Sequence, residues 1–259
     1  MSKSFQTISI VGAGKVANYL ALECYKHGVS IDFIIARKPE AGKALAKQCA
    51  AQYSNSFAKA FESEAVILAV SDDAIATVQK AFKGYQGVLM HCAGSVSIEA
   101  LSACKRRAVI YPLQSIQSIP NQQDFRLLIE SDTDFKRVQS FTKQCGMKTN
   151  KVGSEQRLQY HLAAVLVNNF MNALIGLSEQ LIQSFDLDAK PLQNMLKQTV
   201  ETALKNGAFN SQTGPAKRGD FGTLKQHERL LKHNPLALAV YKSLSNYIYQ
   251  THNPPKADK

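Results

Sequence analysis

Short apolar runs alternating with amphipathic stretches set the first 150 residues apart from the rest of the chain. The runs QTISIVG, IDFIIA, AVILAV and GVLMHC are each bounded by polar or turn-forming residues, the pattern of strands buried on both faces. Between them the spacing predicts a helix reaching Tyr25, one starting at Pro39 and one starting at Asp72. Strands alternating with helices imply a parallel sheet covered on both sides. After AVIYP the pattern continues through FRLLIES, a helix around residues 135–145 and MKTNKV, which adds strands to one edge of that sheet.

From residue 154 the strand signals vanish. Periodicity predicts helices over residues 154–185, 189–205, 223–232 and 236–250, the third opened by a capping box of Thr223 and Gln226. The division is therefore an α/β domain over residues 1–153 and an all-α domain over residues 154–259.

The first strand carries the chemistry. ISIVGAGKVA sets Gly12, Gly14 and Ala17 in the pattern GxGxxA, directly after an apolar strand and opening a helix. That is the context of a dinucleotide-binding fingerprint and of a Rossmann-like, doubly wound parallel sheet. Gly12 permits the turn, Gly14 lets backbone N–H groups reach a pyrophosphate, and Ala17 lets helix and strand pack closely. Gly12, Ala13, Gly14, Lys15 and Val16 are the resulting cofactor residues.

The second strand selects the cofactor. NAD binders place an acid at its tip to hold the ribose hydroxyls, whereas this strand ends Ile34, Ile35, Ala36, Arg37, Lys38. A guanidinium and an ammonium suit a 2′-phosphate, so the predicted cofactor is NADP(H). Two further strand ends face the same edge. Val70 and Ser71 follow the third apolar run, with Asp72 or Asp73 as caps of the next helix, and Val70, through its backbone, and Ser71 are expected to line the cofactor. His91, Cys92, Ala93, Gly94 and Ser95 follow the fourth run, and Gly94 would let a nicotinamide ring approach.

In the helical half, His161, Asn168, Asn172 and Glu179 fall on one line at 3.6 residues per turn. Residues 161–178 contain no Asp, Glu, Lys or Arg but three asparagines and a histidine, which reads as a buried helix rather than a membrane span. The polar line is then either a cleft or a satisfied core network. So apolar a helix also predicts packing against a second subunit, a homodimer through the helical domain.

Composition narrows the partners. The chain has 259 residues, 45% hydrophobic and 20% charged, with a formal charge of +11. The cations are dispersed and lack the basic stripe with interleaved aromatics of nucleic-acid binders, leaving small anionic metabolites as partners. Five scattered cysteines without a CxxC pair predict neither a disulfide framework nor a metal site. They fit a cytoplasmic protein, as does an N-terminus that enters a strand without a leader pattern.

GAGKVA, LAVSDDAI, HCAGS, YPLQS, YHLAAVLVNN and TGPAKRGD together resemble bacterial oxidoreductases that join a Rossmann-like NADP-binding domain to a C-terminal helical domain of unknown function. Those proteins are distant relatives of pyrroline carboxylate reductase and the β-hydroxyacid dehydrogenases. The resemblance covers nearly the whole chain. It implies that the loop carrying Thr213, Gly214, Pro215, Arg218, Gly219 and Asp220 faces the substrate cleft, and that Asn169, rather than Asn168, accompanies His161. Two departures follow from it: Tyr111 stands where the family commonly has His in His-Pro-Leu-Gln, and Val165 lies near the place of the dehydrogenases' lysine.

The expected function is hydride transfer between NADP(H) and a small anionic carbonyl or imine compound in the cleft between the domains. The alternative is an NADP(H)-binding sensor or scaffold without turnover. His161, Asn168, Asn169 and Arg218 are the catalytic candidates, with His161, Tyr111 or water as proton donor. Arg218, held by or near Asp220, would meet the substrate's negative group, or the two would only pin their loop. Charge-assisted hydrogen bonds contribute about 1.5–3 kcal/mol, so Arg37→Ala is expected to raise the Kd for NADPH about tenfold or more while leaving NADH binding unchanged. Calorimetric titration of both nucleotides checks this, and equal losses for the two would remove the role of Arg37.

Overall fold

The computed structural model describes residues 3–116 and 126–254. It divides into two compact units, Met1–Phe170 and Met171–Lys259. The first unit runs β1 (Thr7–Val11), α1 (Lys15–Lys26), β2 (Ser30–Ile35), α2 (Pro39–Gln48), β3 (Gln52–Ser54), β4 (Ala65–Leu68), α3 (Asp72–Val78), β5 (Val88–His91), β6 (Arg107–Pro112), β7 (Arg126–Ser131), α4 (Phe135–Gln144), β8 (Lys148–Lys151) and α5 (Ser154–Ala164). Its eight strands form one sheet in the order β3-β2-β1-β4-β5-β6-β7-β8. All neighbours are parallel except β6 and β7.

Side chains of alternate parity fill the two faces. Ile8, Ile10, Ile34, Ile67, Met90 and Ile110 pack with Leu20 and Phe141 on one side. Phe33, Ile35, Val66, Leu68 and Leu89 pack with Ile75, Phe82 and Leu101 on the other. Covering both faces makes β4 apolar throughout and β5 apolar up to the buried His91, without alternation. The doubly wound sheet is thus as the pattern implies. The three-residue β3, Gln-Tyr-Ser, has no apolar run and escapes periodicity.

The second unit contains α6 (Met171–Ser184), α7 (Lys190–Asn206), α8 (Ala208–Ser211), α9 (Pro215–Arg218), α10 (Phe221–Leu230) and α11 (Pro235–His252), with no strand among the described residues. The start of α10 differs from the capping box of Thr223 and Gln226. Asp220 caps it, accepting from the Thr223 backbone N–H at 3.1 Å and from Thr223 Oγ1 at 2.7 Å. A carboxylate outcompetes a hydroxyl as acceptor for orphan N–H groups at a helix start. Those bonds, with a smaller pull from Arg218, hold the Asp220 carboxyl below its usual range. Asp220 makes no ion pair with Arg218. The loop is held instead by Lys217 Nζ donating to the Gln212 carbonyl and by Asn253 Nδ2 donating to the Lys217 carbonyl.

The reading of residues 161–178 as a buried helix is corrected. None of the residues from Val165 to Ser184 is buried, and Leu166, Val167 and Phe170 are more than half exposed. Asn168, Asn172 and Glu179 are exposed as well, so the polar line is not enclosed. Apolar side chains are spread around the helix rather than gathered in one stripe, so packing on a single face leaves many uncovered. By length and composition the helix Ser154–Ser184 could cross a membrane. Its first turns, however, are committed to the sheet through the ion pair of Arg157 with Glu130.

Candidate active site

The parallel register brings four strand ends to one edge. Val11 lies beside Ile35 and Leu68, and Leu68 beside His91. The segments 12–16, 37–38, 70–72 and 92–95 therefore all leave the carboxyl edge of the sheet, where open sheets of this type bind ligands. Gly12 holds a φ of 120°, and a Cβ there would lie 2.2 Å from the Ala69 carbonyl oxygen, so only glycine fits. A Cβ on Gly14 would meet nothing within 4 Å, so the start of α1 is open to a pyrophosphate. Asn18 fastens this turn, its Nδ2 donating to the carbonyls of Ala13 at 3.1 Å and Gly14 at 2.9 Å.

Arg37 and Lys38 are exposed beyond β2, and neither enters an ion pair among the described residues. The nearest acid on that strand, Asp32, is engaged by the Ser63 hydroxyl at 2.6 Å. Two free cations, an open helix start and a glycine turn together fit a phosphorylated dinucleotide. Lys15 is exposed and Ala13, Val16 and Val70 half-buried along the same edge.

Ser71, rather than either aspartate, stands at the N-cap of α3, and no side-chain cap bond forms. Asp72 instead accepts the Ser95 hydroxyl at 2.6 Å, linking the segments after β4 and β5. The acceptor of a charged hydrogen bond across the site is lost to capping.

Gly94 has a second neighbourhood. A Cβ on it would lie 2.7 Å from the Tyr111 ring and 2.8 Å from His161 Nδ1. Register explains the first contact: Val109 lies beside His91, so Tyr111, two residues on, is level with the segment after β5. The second comes from α5. Tyr111 Oη and His161 Nδ1 are 3.0 Å apart, with the rings edge to face at 5.8 Å. Burial, and secondarily the Asp72 carboxylate, push the Tyr111 phenol up, so it keeps its proton at neutral pH and can donate it.

Neither neighbour competes for this role. Burial and the Arg157 charge lower His91 to about 4, leaving it neutral. Burial, then Asp72, raise the Cys92 thiol far above its usual range, so it is no nucleophile.

Asn168 and Asn169 lie in a π-helical segment, Val165–Phe170, and both are exposed. Each π-helical residue advances the chain by less than an α-helical one, which moves the position in line with His161 from Asn168 towards Asn169. Arg218 lies in the second unit, exposed and without an ion-pair partner among the described residues. His161, Tyr111 and Gly94 are thus brought together within the first unit, and Arg218 belongs to the second. Asn18 and the Asp72–Ser95 bond were missed by sequence reasoning. Asn18 follows Gly14 by one helical turn, a spacing that could have revealed it.

Residues 7–89 match the family model for NADP oxidoreductase, coenzyme F420-dependent, and residues 126–248 match that for a domain of unknown function, DUF2520. No curated protein matches. A Bacteroides fragilis protein provisionally named an NADP oxidoreductase is 25% identical, with a TM-score of 0.84 over 95% of this chain and 98% of its own. A Thermotoga maritima protein is also 25% identical, with a TM-score of 0.71 over 96% and 100%. A reductive aminase from Aspergillus terreus, solved with NADPH and ethyl-5-oxohexanoate, shares the fold at 13% identity, with a TM-score of 0.74 over 98% and 95%.

Gly94→Ala is expected to force Tyr111 and His161 apart and to destabilise the protein by about 1–3 kcal/mol, the range for overpacking. Urea unfolding reads the stability and the ring resonances of both residues read the separation. An unperturbed pair would show that the segment after β5 yields freely.

Proposed function

We propose that this chain, which joins an NADP oxidoreductase domain to a DUF2520 domain, reduces a small carbonyl or imine compound with NADPH, using Tyr111 and His161 as proton donor. As an NADP-dependent oxidoreductase it needs a nicotinamide to supply hydride to the acceptor carbon. The protein must then deliver a proton to the acceptor oxygen or nitrogen. The observation that carries the proposal is the 3.0 Å contact of Tyr111 Oη with His161 Nδ1 at the sheet's carboxyl edge.

The two residues divide the work. Tyr111 holds its proton because burial disfavours the phenolate, and the imidazole can refill the phenol after transfer. Nδ1 binds the phenol, so Nε2 is the nitrogen through which His161 would recover a proton. The Arg37 and Lys38 pair supports the choice of NADP(H) over NAD(H). For the acceptor's negative group the candidate partner is Arg218, whose charge no ion pair neutralises among the described residues.

A second copy of the chain is the proposed cover for the exposed side chains Leu166, Val167 and Phe170. Uncharged apolar side chains of this kind are costly to leave in water. A homodimer through the helical part follows, and light scattering at micromolar concentration is expected to give twice the chain mass. A monomer would remove that reading.

Oxidation of NADPH with a panel of 2-oxo acids and cyclic imines tests the reaction itself. Tyr111→Phe and His161→Ala are each expected to lower turnover about 100- to 10,000-fold, the range for general acid catalysis, with NADPH affinity retained. Tight NADPH binding without oxidation by any acceptor would favour a sensor.

A further inference from the structure

We infer that Arg157 is a positioning residue: its guanidinium clamps the segment after β5 against α5 and so sets the contact between Tyr111 and His161. The inference rests on the reading of that pair as the proton donor.

Arg157 is fully buried, with no exposed side-chain surface. Its guanidinium donates to the Glu130 carboxylate on β7, to the Val96 carbonyl after β5, and to Ser154 Oγ at 3.2 Å. Ser154 repeats the link. Its hydroxyl donates to Glu130 Oε2 at 2.9 Å and accepts the Ile98 backbone N–H at 3.1 Å, while its own N–H donates to Glu130 Oε1 at 3.0 Å. Two residues at the start of α5 thus hold both ends of the segment Val96–Ile98.

That segment follows Gly94 after one residue, Ser95, and a Cβ on Gly94 would lie 2.7 Å from the Tyr111 ring and 2.8 Å from His161 Nδ1. Arg157 precedes His161 by four residues on α5, one helical turn, so the two share a face. Displacing the guanidinium would move the wall at Gly94 and the helix bearing His161 together. A simple anchor for α5 would need only the Glu130 pair; the bond to the Val96 carbonyl is what ties the helix to the segment that carries Gly94.

A buried cation is also poorly explained by stability alone, because a well-packed apolar pair often serves as well. The same consideration supplies the test. Arg157→Lys keeps the charge but lacks the fork that reaches both Glu130 and Val96. In the double variant Arg157→Met with Glu130→Gln, the charges go, and an acceptor remains for Ser154.

Histidine-selective NMR of the ligand-free protein, with the resonance assigned by His161→Asn, reads the ring environment of His161. Thermal melting and NADPH titration read folding. The double variant is expected to melt near the native temperature and to bind NADPH with a Kd within about twofold, a difference well under 1.4 kcal/mol. Its His161 resonance and that of Arg157→Lys are both expected to move by more than a line width. An unmoved His161 resonance in the folded double variant, or in Arg157→Lys, would overturn the clamp. Loss of the reaction proposal has a different signature, full turnover in His161→Ala, and would leave the resonance shifts standing.

Discussion

A guanidinium with no exposed surface must find its hydrogen bonds inside the protein, and the two terminal nitrogens of Arg157 find them on three separate stretches of chain, β7, the segment after β5, and the start of α5, while its Nε has no partner among the described residues. Breaking a buried pair of this kind by removing one partner costs about 3–5 kcal/mol. That constraint fixes where α5 begins and how it lies on the sheet. It also ties the start of α5 to the first compact unit, which extends to Phe170 although the strand pattern ends near residue 153. The helix belongs by chemistry to the sheet it is tied to.

The sheet contributes the other half of the arrangement. Parallel neighbours end at one level, so residues distant in sequence meet without any need for a designed loop. Gly12 comes close to the Ala69 carbonyl, Asp72 accepts from Ser95, and Tyr111 reaches the level of Gly94. Opposite orientation of β6 and β7 matters here. β7 returns Glu130 alongside Val109, within reach of the start of α5.

What could be read without coordinates was whatever depends on local pattern. Apolar runs and the GxGxxA turn identify β1, β2, β4 and β5 and the sheet they form, because burial on both faces leaves a mark on every residue. His161 and Gly94 could each be named, but not their contact, since it depends on β6 register and on the seating of α5. The cap of α10 was misplaced because Thr223 and Gln226 satisfy a local rule that the stronger acceptor Asp220 overrides. The buried helix was misjudged for a related reason. Hydrophobic composition signals a need for cover, and does not say whether the cover lies in the same chain.

The departures from the resembling families then acquire a physical sense. Val165, near the place expected for a catalytic lysine, opens the π-helical segment and brings no proton to the site. The reaction we propose still needs one, and the sheet edge holds the Tyr111 phenol where the resembling family commonly has histidine. A phenol backed by imidazole Nδ1 at 3.0 Å stays protonated, because burial and the nearby Asp72 both disfavour its anion. In that proposal the donor sits on β6 rather than on the helix, so its placement is a matter of strand register and of the α5 seat. In the same proposal a buried arginine one turn before His161 bears on chemistry that it never touches.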